Sequence, residues 1–141
     1  MRVLITGGLG FIGSNLLELL ISKPKIKQII IVDNQSKSSL EYIDTICEYK
    51  YFSKSNDYTM SRNKVVVVNA DITNYKFSLR VTKNIDYTIH LAAESGIETS
   101  IKNPKQSFNI NVNGTMNYLE ASRINKVRGF IFSSSGAVFG T

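Results

Sequence analysis

The sequence predicts an α/β fold in which helices cover both faces of a doubly wound parallel sheet. Three observations carry this prediction. Short runs rich in β-branched residues alternate with helical patterns, a glycine-rich turn follows the first run, and an acid ends the second. Right-handed crossovers then arrange about five strands in the order 3-2-1-4-5. The 141 residues suit a single domain, predicted to span residues 1–141.

The first elements are a strand, a helix and a second strand. The apolar residues 2–5 predict the first strand, and a helix over residues 11–22 ends before Pro24. Apolar side chains recur in that helix at helical spacing, at Ile12, Leu16, Leu19 and Leu20. Residues 28–32 form a buried-strand run that ends at Asp33.

The later elements continue the alternation. Residues 40–51 have apolar side chains on one face and predict a helix, whereas the polar residues 53–63 predict an exposed loop. The elements expected after this loop are strand 65–68, helix 75–84, strand 86–91, helix 104–125 and strand 129–133. One side of the long helix carries Phe108, Val112, Thr115, Leu119 and Ser122.

The turn after the first strand has the form of a dinucleotide-binding turn. It fits two spacings, Gly7-x-x-Gly10-x-x-Gly13 and Gly8-x-Gly10-x-x-Gly13. Glycine there permits a tight turn, a close backbone approach to a pyrophosphate and close helix packing, and the helix N-terminus then holds the phosphates. Asp33 follows Gly13 by about 20 residues, where a carboxylate can bind the adenosine ribose. This context favours a Rossmann-type cofactor domain over a plain turn with an unrelated acid.

Composition narrows the classes of partner. The chain is 43% hydrophobic and 20% charged with a net charge of +6, as in an ordinary globular protein. Its lysines are scattered and show no docking motif, so we expect anionic nucleotide ligands and no nucleic acid. No apolar run approaches the ~20 residues of a membrane helix, and the first strand begins at once, so a cytoplasmic location is expected. Cys47 is the single cysteine, which predicts neither a disulfide nor a metal site.

Four further segments make the chain similar to a known family. They are Val32-Asp33-Asn34, Asn69-Ala70-Asp71-Ile72, His90-Leu91-Ala92-Ala93 and the run from Phe132 to Gly140, which reads FSSSGAVFG. In this order they resemble the extended short-chain dehydrogenase/reductase family, in its NAD-dependent sugar-nucleotide epimerase/dehydratase branch. The resemblance is to the N-terminal portion of UDP-glucose 4-epimerase-like members and spans the whole chain.

The resemblance implies NAD as cofactor and gives each part of NAD a set of residues. The pyrophosphate would lie on Gly7, Gly10, Phe11, Ile12 and Gly13. The adenosine ribose would be bound by Asp33 and Asn34, the adenine by Asp71 and Ile72, and the nicotinamide ribose would lie above Leu91, Ala92 and Ala93. The acid at position 33 disfavours the 2′-phosphate of NADP, although the nearby Lys37 could partly offset that repulsion.

Ser135 is the candidate catalytic residue. By the resemblance it would bond the sugar hydroxyl that is oxidised, whereas a strand-end serine can also simply cap a turn. The resemblance gives His90 a structural role. Glu94 could face the substrate pocket or be a solvated loop acid, and both readings stay open.

Two clues about the reaction conflict. Dehydratases of the branch carry an Asp-Glu pair where this chain has Gly136-Ala137, which favours an epimerase acting on a UDP- or dTDP-sugar. The segment from His90 to Ser95 reads instead like that of a dTDP-glucose 4,6-dehydratase, which remains an alternative. We give more weight to Gly136-Ala137, because that place concerns groups that perform chemistry.

The family's catalytic Tyr-x-x-x-Lys pair does not occur in the 141 residues; Tyr58-x-x-x-Arg62 comes nearest. We therefore expect an incomplete cofactor domain without the C-terminal substrate-binding region, inactive by itself. A non-catalytic dinucleotide-binding module is the other alternative, so whether the chain is an enzyme stays open. The resemblance also implies a homodimer through the helix at residues 104–125.

Overall fold

The fold is that of a computed structural model, and the structure describes residues 1–135. The strands in that range are β1 (Arg2–Thr6), β2 (Gln28–Asp33), β3 (Lys50–Phe52), β4 (Val65–Asn69), β5 (Tyr87–His90) and β6 (Gly129–Phe132). The α-helices are α1 (Phe11–Ile21), α2 (Glu41–Ile46), α3 (Tyr75–Val81), α4 (Ile97–Lys102), α5 (Pro104–Phe108) and α6 (Thr115–Ile124). A 3₁₀ turn occupies Ser55–Asp57, and a π-helical segment, Asn109–Gly114, joins α5 to α6.

All the strands pair in parallel, in the order β3-β4-β2-β1-β5-β6. The predicted order 3-2-1-4-5 is confirmed by the strands β4-β2-β1-β5-β6, and β3 adds an edge strand. After β1 the chain builds outward on one side, then crosses to place β5 on the other side of β1. In sheets of this kind ligands bind at such a switch point, outside the carboxyl ends of the strands.

The core lies on both faces of the sheet because alternate residues of the central strands point to opposite sides. On one face Leu4, Ile30 and Val66 pack with Phe77 of α3 and Tyr118 of α6. The second face is formed by the intervening residues of the same strands, packed against α1 and α2 through Val3, Ile5, Ile29, Ile31, Val65, Val67, Leu17 and Ile43. The strands therefore read as continuous apolar runs.

The prediction of a helix over residues 40–51 is wrong beyond Ile46, where α2 ends. Residues Lys50–Phe52 form β3, which pairs in parallel with β4 through contacts such as Tyr51 opposite Val67. The free edge of β4 offers unpaired backbone groups, and hydrogen bonding to them overrides a local helical pattern that is weak to begin with.

The segment predicted as an exposed loop, residues 53–63, has a buried anchor. The ring of Tyr58 is almost fully buried and meets Phe52 and Phe77 edge to face, with centroid distances of 5.6 Å and 5.9 Å. Such pairs stabilise beyond the area they bury. Most of the segment is exposed as predicted, but Tyr58 fastens it to the core.

Two helices bury only part of the face that the apolar spacing favours: Leu16 and Leu20 of α1 pack against the core, and Ser122 of the later helix is buried. In α1 the fully buried residue is Leu17, while Ile12 and Leu19 are 61% and 58% exposed. The predicted helix 104–125 consists of α5, the π-helical segment and α6, and its buried face carries Gly114, Tyr118, Ala121 and Ser122. Phe108, Val112 and Leu119 of the predicted face are exposed, because the stretch turns Tyr118 and the small residues beside it toward the sheet.

Two smaller findings complete the fold. The helix α4 was not predicted; it lies between the predicted strand 86–91 and the predicted helix 104–125, where no element was assigned. Within residues 1–135, no helix is long and apolar enough to cross a membrane.

Candidate functional site

Gly7 brings the ends of β1 and β5 together at the switch point. Its backbone has a φ of +68°, a left-handed conformation that glycine adopts without strain. A Cβ added to Gly7 would lie 2.7 Å from the backbone nitrogen of Ala92. The amide of Gly7 also donates to the carbonyl of Val32, at 2.8 Å. Only glycine therefore fits where the turn passes between two neighbouring strand ends.

Helix α1 begins directly after this turn and packs closely on it. A Cβ at Gly13 would approach the Cα of Gly8 to 2.5 Å, so the first turn of the helix lies against the glycine turn. No side chain among residues 1–135 caps the helix at Gly10. The first-turn amides and the positive end of the helix dipole are thus suited to an anion. Phe11 and Ile12 are exposed beside them.

The carboxylate of Asp33 is held at the end of β2 by three donors. Its Oδ2 accepts from the amide of Leu9 at 3.1 Å, and its Oδ1 accepts from the amide of Gln35 at 2.9 Å and the hydroxyl of Ser38 at 3.0 Å. Each carboxylate oxygen accepts about two hydrogen bonds. Among the described residues Oδ2 has one donor, which leaves room for a ligand hydroxyl. The glycine turn and the acid thus form one unit.

Asn34 and Asp71 close one side of the site. The amide of Asn34 donates to Oδ2 of Asp71 at 3.1 Å, and the amide and hydroxyl of Thr73 donate to Oδ1 of Asp71 at 2.8 Å and 2.7 Å. Burial acts to raise the pKa of Asp71, but the hydrogen bonds from Thr73 and Asn34 outweigh it and lower the pKa below its usual value. Asp71 is therefore ionised and fixed in place.

Ile72 lies deeper than its neighbour Asp71. It is buried to within a few per cent of its surface, and a Cβ at Gly114 would meet its Cδ1 at 2.5 Å. Its side chain thus packs against the π-helical segment and has little surface left for a ligand. Short π-helical segments of this kind are frequent at functional sites.

His90 is a buried and bonded residue at the end of β5. Its Nδ1 lies 2.8 Å from Oγ1 of Thr6, and its Nε2 lies 3.1 Å from Oγ1 of Thr115. Its ring stacks on those of Phe130 and Phe132, at centroid distances of 5.8 Å and 6.2 Å. Burial lowers the pKa of His90 to about 4, so the imidazole is neutral near pH 7. These contacts fit a structural role.

Of the two alternatives for Glu94, a residue that faces the pocket or a solvated loop acid, its position favours the first. Its carboxylate forms an ion pair with Lys37 and lies in the wall of the cleft, with its side chain only 10% exposed. It is therefore not a solvated loop acid. Neither this pairing nor the hydrogen bond from Ser38 to Asp33 was predicted, because both join residues that no sequence motif links.

Two adjoining cavities form a cleft along the carboxyl edge of the sheet, with volumes of about 320 Å³ and 800 Å³. The first is lined by Asp33, Asn34, Asp71 and Ile72, and the second by Ile12, Gly13 and residues 133–135. Both share walls formed by Gly7, Gly10, Phe11, Leu91, Ala92 and Ala93. The structure thus brings every predicted cofactor residue, together with Ser135, to one cleft.

Two further observations concern the chemistry of the cleft. The residues Gly136 and Ala137, which favour an epimerase, lie outside the described residues. Among residues 1–135, no group of three or more histidine, cysteine, aspartate or glutamate side chains could hold a metal ion.

The sheet order, the glycine turn at the switch point and the cleft across it define a Rossmann-type domain. The chain belongs to the GDP-mannose 4,6 dehydratase family, whose sequence model matches residues 4–141. This assignment and the relatives below confirm the resemblance to the NAD-dependent epimerase/dehydratase branch of the extended short-chain dehydrogenases/reductases.

Similar proteins include several epimerases. The chain is 35% identical over 147 residues to CDP-paratose 2-epimerase of Salmonella typhi, covering 99% of this chain and 38% of that protein. It is 31% identical over 140 residues to a UDP-glucose 4-epimerase of Schizosaccharomyces pombe, covering 98% of this chain and 36% of that protein. The chain thus spans well under half the length of these relatives.

A solved structure of an epimerase has the same fold as this chain. The UDP-glucose-4-epimerase of Stenotrophomonas maltophila, crystallised with bound NAD and formylated UDP-arabinopyranose, superposes with a TM-score of 0.80 at 30% sequence identity. The match covers 99% of this chain and 38% of that one. The likeness in fold and sequence therefore extends over the N-terminal part of such enzymes.

Proposed function

We propose that residues 1–141 are the NAD-binding portion of a sugar-nucleotide epimerase, which oxidises a UDP-sugar reversibly at the sugar ring. The observation that carries the proposal is the single cleft at the switch point, where the glycine turn, the acid of β2 and the end of β5 meet. The epimerases similar to this chain support the reaction class. The proposed domain is incomplete, since those relatives continue well beyond the part matched here.

The residues of the cleft fit NAD by size, charge and shape. The uncapped start of α1 suits the pyrophosphate, with Gly7, Gly10 and Gly13 allowing the backbone to approach it and Phe11 and Ile12 flanking it. We assign the adenosine ribose to Asp33 and Asn34 and the adenine to Asp71 and the backbone of Ile72. The nicotinamide ribose would lie on Leu91, Ala92 and Ala93.

NAD supplies hydride acceptance in this class of enzyme, and the chain supplies binding and orientation. We assign to Ser135 a hydrogen bond to the sugar hydroxyl that is oxidised, because it lines the larger cavity at the end of β6. The proton of that hydroxyl needs a base, which the Tyr-x-x-x-Lys motif provides in the family. Since the 141 residues contain no such motif, we propose that they have no turnover alone.

A dehydratase is the second candidate, because the matching family model is that of GDP-mannose 4,6 dehydratase. Elimination of water needs an acid and a base near the sugar, and Gly136-Ala137 offers neither at the place where dehydratases carry them. The relatives reported above are epimerases, which also favours the first candidate. A non-catalytic dinucleotide-binding module remains the alternative from another class.

We further propose a homodimer through the helical stretch from Pro104 to Ile124 and a cytoplasmic location without nucleic-acid or membrane partners. The support for the dimer is an exposed apolar face with helical spacing, formed by Phe108, Val112, Met116 and Leu119. Exposed apolar patches of this kind mark interaction surfaces. Sedimentation of the chain at rising concentration would report the association.

The test of cofactor binding is a calorimetric titration of the chain with NAD, using two matched variants of α1. Ile12→Glu puts a carboxylate beside the proposed pyrophosphate position, and Leu19→Glu makes the same change at a similarly exposed place on the same helix. We expect saturable binding by the wild type and by Leu19→Glu. Repulsion between like charges should weaken binding to Ile12→Glu about tenfold or more.

Three results would bear on the proposal. Absence of NAD binding by the wild type, or equal binding by both variants, would contradict the cofactor assignment. Measurable conversion of UDP-glucose to UDP-galactose by the pure chain would contradict the need for the tyrosine base. Sequencing the locus beyond codon 141 separates the two classes: an in-frame Tyr-x-x-x-Lys supports the enzyme, and a stop codon supports the module.

A further inference from the structure

An ion pair joins the two walls of the cleft. Lys37 lies in the loop after β2 and Glu94 in the loop after β5, and Nζ of Lys37 contacts Oε1 of Glu94. Both residues line the smaller cavity, beside Asp33 and Asn34. The Glu94 side chain is 10% exposed and that of Lys37 is 52% exposed. Most surface ion pairs have two mobile partners, whereas here the carboxylate partner has little exposed surface and several further contacts.

Glu94 is held in place by several contacts. Its Oε1 also accepts from the amide of Gly96 at 2.8 Å. Asn111 of the π-helical segment clamps its backbone, since Oδ1 of Asn111 accepts from the amide of Glu94 at 2.8 Å and Nδ2 donates to its carbonyl at 3.0 Å. The bonds from Lys37 and Gly96 lower the pKa of Glu94, so the carboxylate is charged. Lys37, the more mobile partner, is therefore positioned by Glu94.

The position of Lys37 beside Asp33 bears on which cofactor, NAD or NADP, the cleft can accept. Ser38, the next residue, donates its hydroxyl to Asp33, so the loop that carries Lys37 lies against the proposed ribose-binding acid. Dinucleotide-binding proteins that accept NADP have a cation near this point for the 2′-phosphate, and those that accept NAD have an acid. This cleft has both an acid, Asp33, and a cation, Lys37. Whether it accepts a 2′-phosphate therefore depends on whether the ammonium of Lys37 is held elsewhere.

We propose that Glu94 is a positioning residue for cofactor choice: by holding the ammonium of Lys37 across the cleft, it withholds the cation that would accept the 2′-phosphate of NADP. This inference rests on the proposed function, because it presupposes that the adenosine half of NAD lies at Asp33. With Lys37 paired, the charges of Asp33, Asp71, Lys37 and Glu94, which all line this cavity, sum to two negative charges, and these repel a phosphate. Without the carboxylate at position 94 they sum to one, and the ammonium of Lys37 is no longer held across the cleft.

The test measures two probes that need only the adenosine half of the cleft, ADP-ribose and 2′-phospho-ADP-ribose. Their dissociation constants would be determined by calorimetry for the full chain and for Glu94→Gln, Lys37→Met and the double variant. Glu98→Gln is the matched control, because Glu98 pairs with Lys102 on α4 with side chains 87% and 73% exposed, and neither residue lines the cleft. The readout is the ratio of the two constants within each variant, which cancels any loss of folded protein.

We expect Glu94→Gln to shift the ratio toward 2′-phospho-ADP-ribose by about five- to tenfold, which is less than a fully buried charge-assisted contact gives because the side chain of Lys37 is half exposed. Lys37→Met removes the only positive charge of that sum and should strengthen the preference for ADP-ribose, whereas the double variant and Glu98→Gln should keep the wild-type ratio. An unchanged ratio in Glu94→Gln would overturn the inference, and so would an equal shift in the double variant, which lacks the cation. If the wild type binds no ADP-ribose, the proposed function fails and the inference fails with it.

Discussion

Acid should unfold this protein partly through His90. In the folded chain the imidazole is 1% exposed, both its nitrogens lie beside threonine hydroxyls, and burial lowers its pKa to about 4 from the usual 6.5. The unfolded state therefore binds the proton more readily than the folded state. The contribution of the neutral imidazole to stability is complete above pH 6.5 and is lost as the pH falls from 6.5 through 4.

The size of the effect follows from the two pKa values. Each unit of difference corresponds to about 1.4 kcal/mol, so the full loss is about 3 kcal/mol, and about 2 kcal/mol of it occurs between pH 8 and pH 5. This is a sizeable part of the free energy of unfolding of a small domain, which is typically about 5–15 kcal/mol. Carboxylates also titrate below pH 5, so the measurement needs a variant that isolates the histidine.

The assay is urea unfolding at pH 8 and pH 5 for the wild type and for His90→Gln. The wild type should lose about 2 kcal/mol more than the variant between the two pH values. Because His90 is the only histidine, the chain has one Hε1 resonance, and its titration supplies a second measurement if the variant folds poorly. An imidazole pKa near 6.5 in the folded chain, or equal losses in both proteins, would refute the reasoning.

Three stability predictions test the fold. Leu17→Ala should lower the free energy of unfolding in urea by about 3 kcal/mol because Leu17 is fully buried, whereas Leu19→Ala should change it by no more than about 0.5 kcal/mol. Equal losses in the two variants would contradict the burial of the Leu17 face of α1. Gly7→Ala should cost at least about 2 kcal/mol, since φ is +68° and its Cβ meets Ala92, and a neutral effect would contradict that geometry. Tyr58→Ala should lower the free energy of unfolding by about 3 kcal/mol because the ring is buried, and an almost unchanged free energy would contradict its role as an anchor of residues 53–63.

The strands other than β3 were predictable, because a run of apolar residues is visible in the sequence without knowledge of its partners. A strand buried on both faces must be apolar throughout, so runs such as the four valines from Val65 to Val68 identify it. The buried faces of the helices were not predictable in this way. Gly13 packs against the glycine turn and Gly114 against Ile72, and these tertiary contacts, which the spacing of apolar residues does not specify, help to fix which side of each helix is buried.

The residues of the candidate site were predictable where a local motif or a fixed spacing in the sequence identifies them. The turn at Gly7 and the acid at Asp33 are joined by spacing, and the structure connects them through the amide of Leu9. The pairing of Lys37 with Glu94 joins two loops far apart in the sequence, and no local pattern specifies it. The edge strand β3 was missed for the same reason, since its pairing is set by the free edge of β4.

The most direct test of the central claim is an amide NMR spectrum of the ¹⁵N-labelled chain recorded during titration with NAD. The claim is that NAD lies along the carboxyl edge of the sheet, between the start of α1 and the end of β5. We expect saturable shifts at Gly10, Gly13, Asn34 and Ala92, with Lys64 at the opposite edge unchanged. Shifts confined to the opposite edge, or a spectrum that NAD leaves unchanged, would contradict the account.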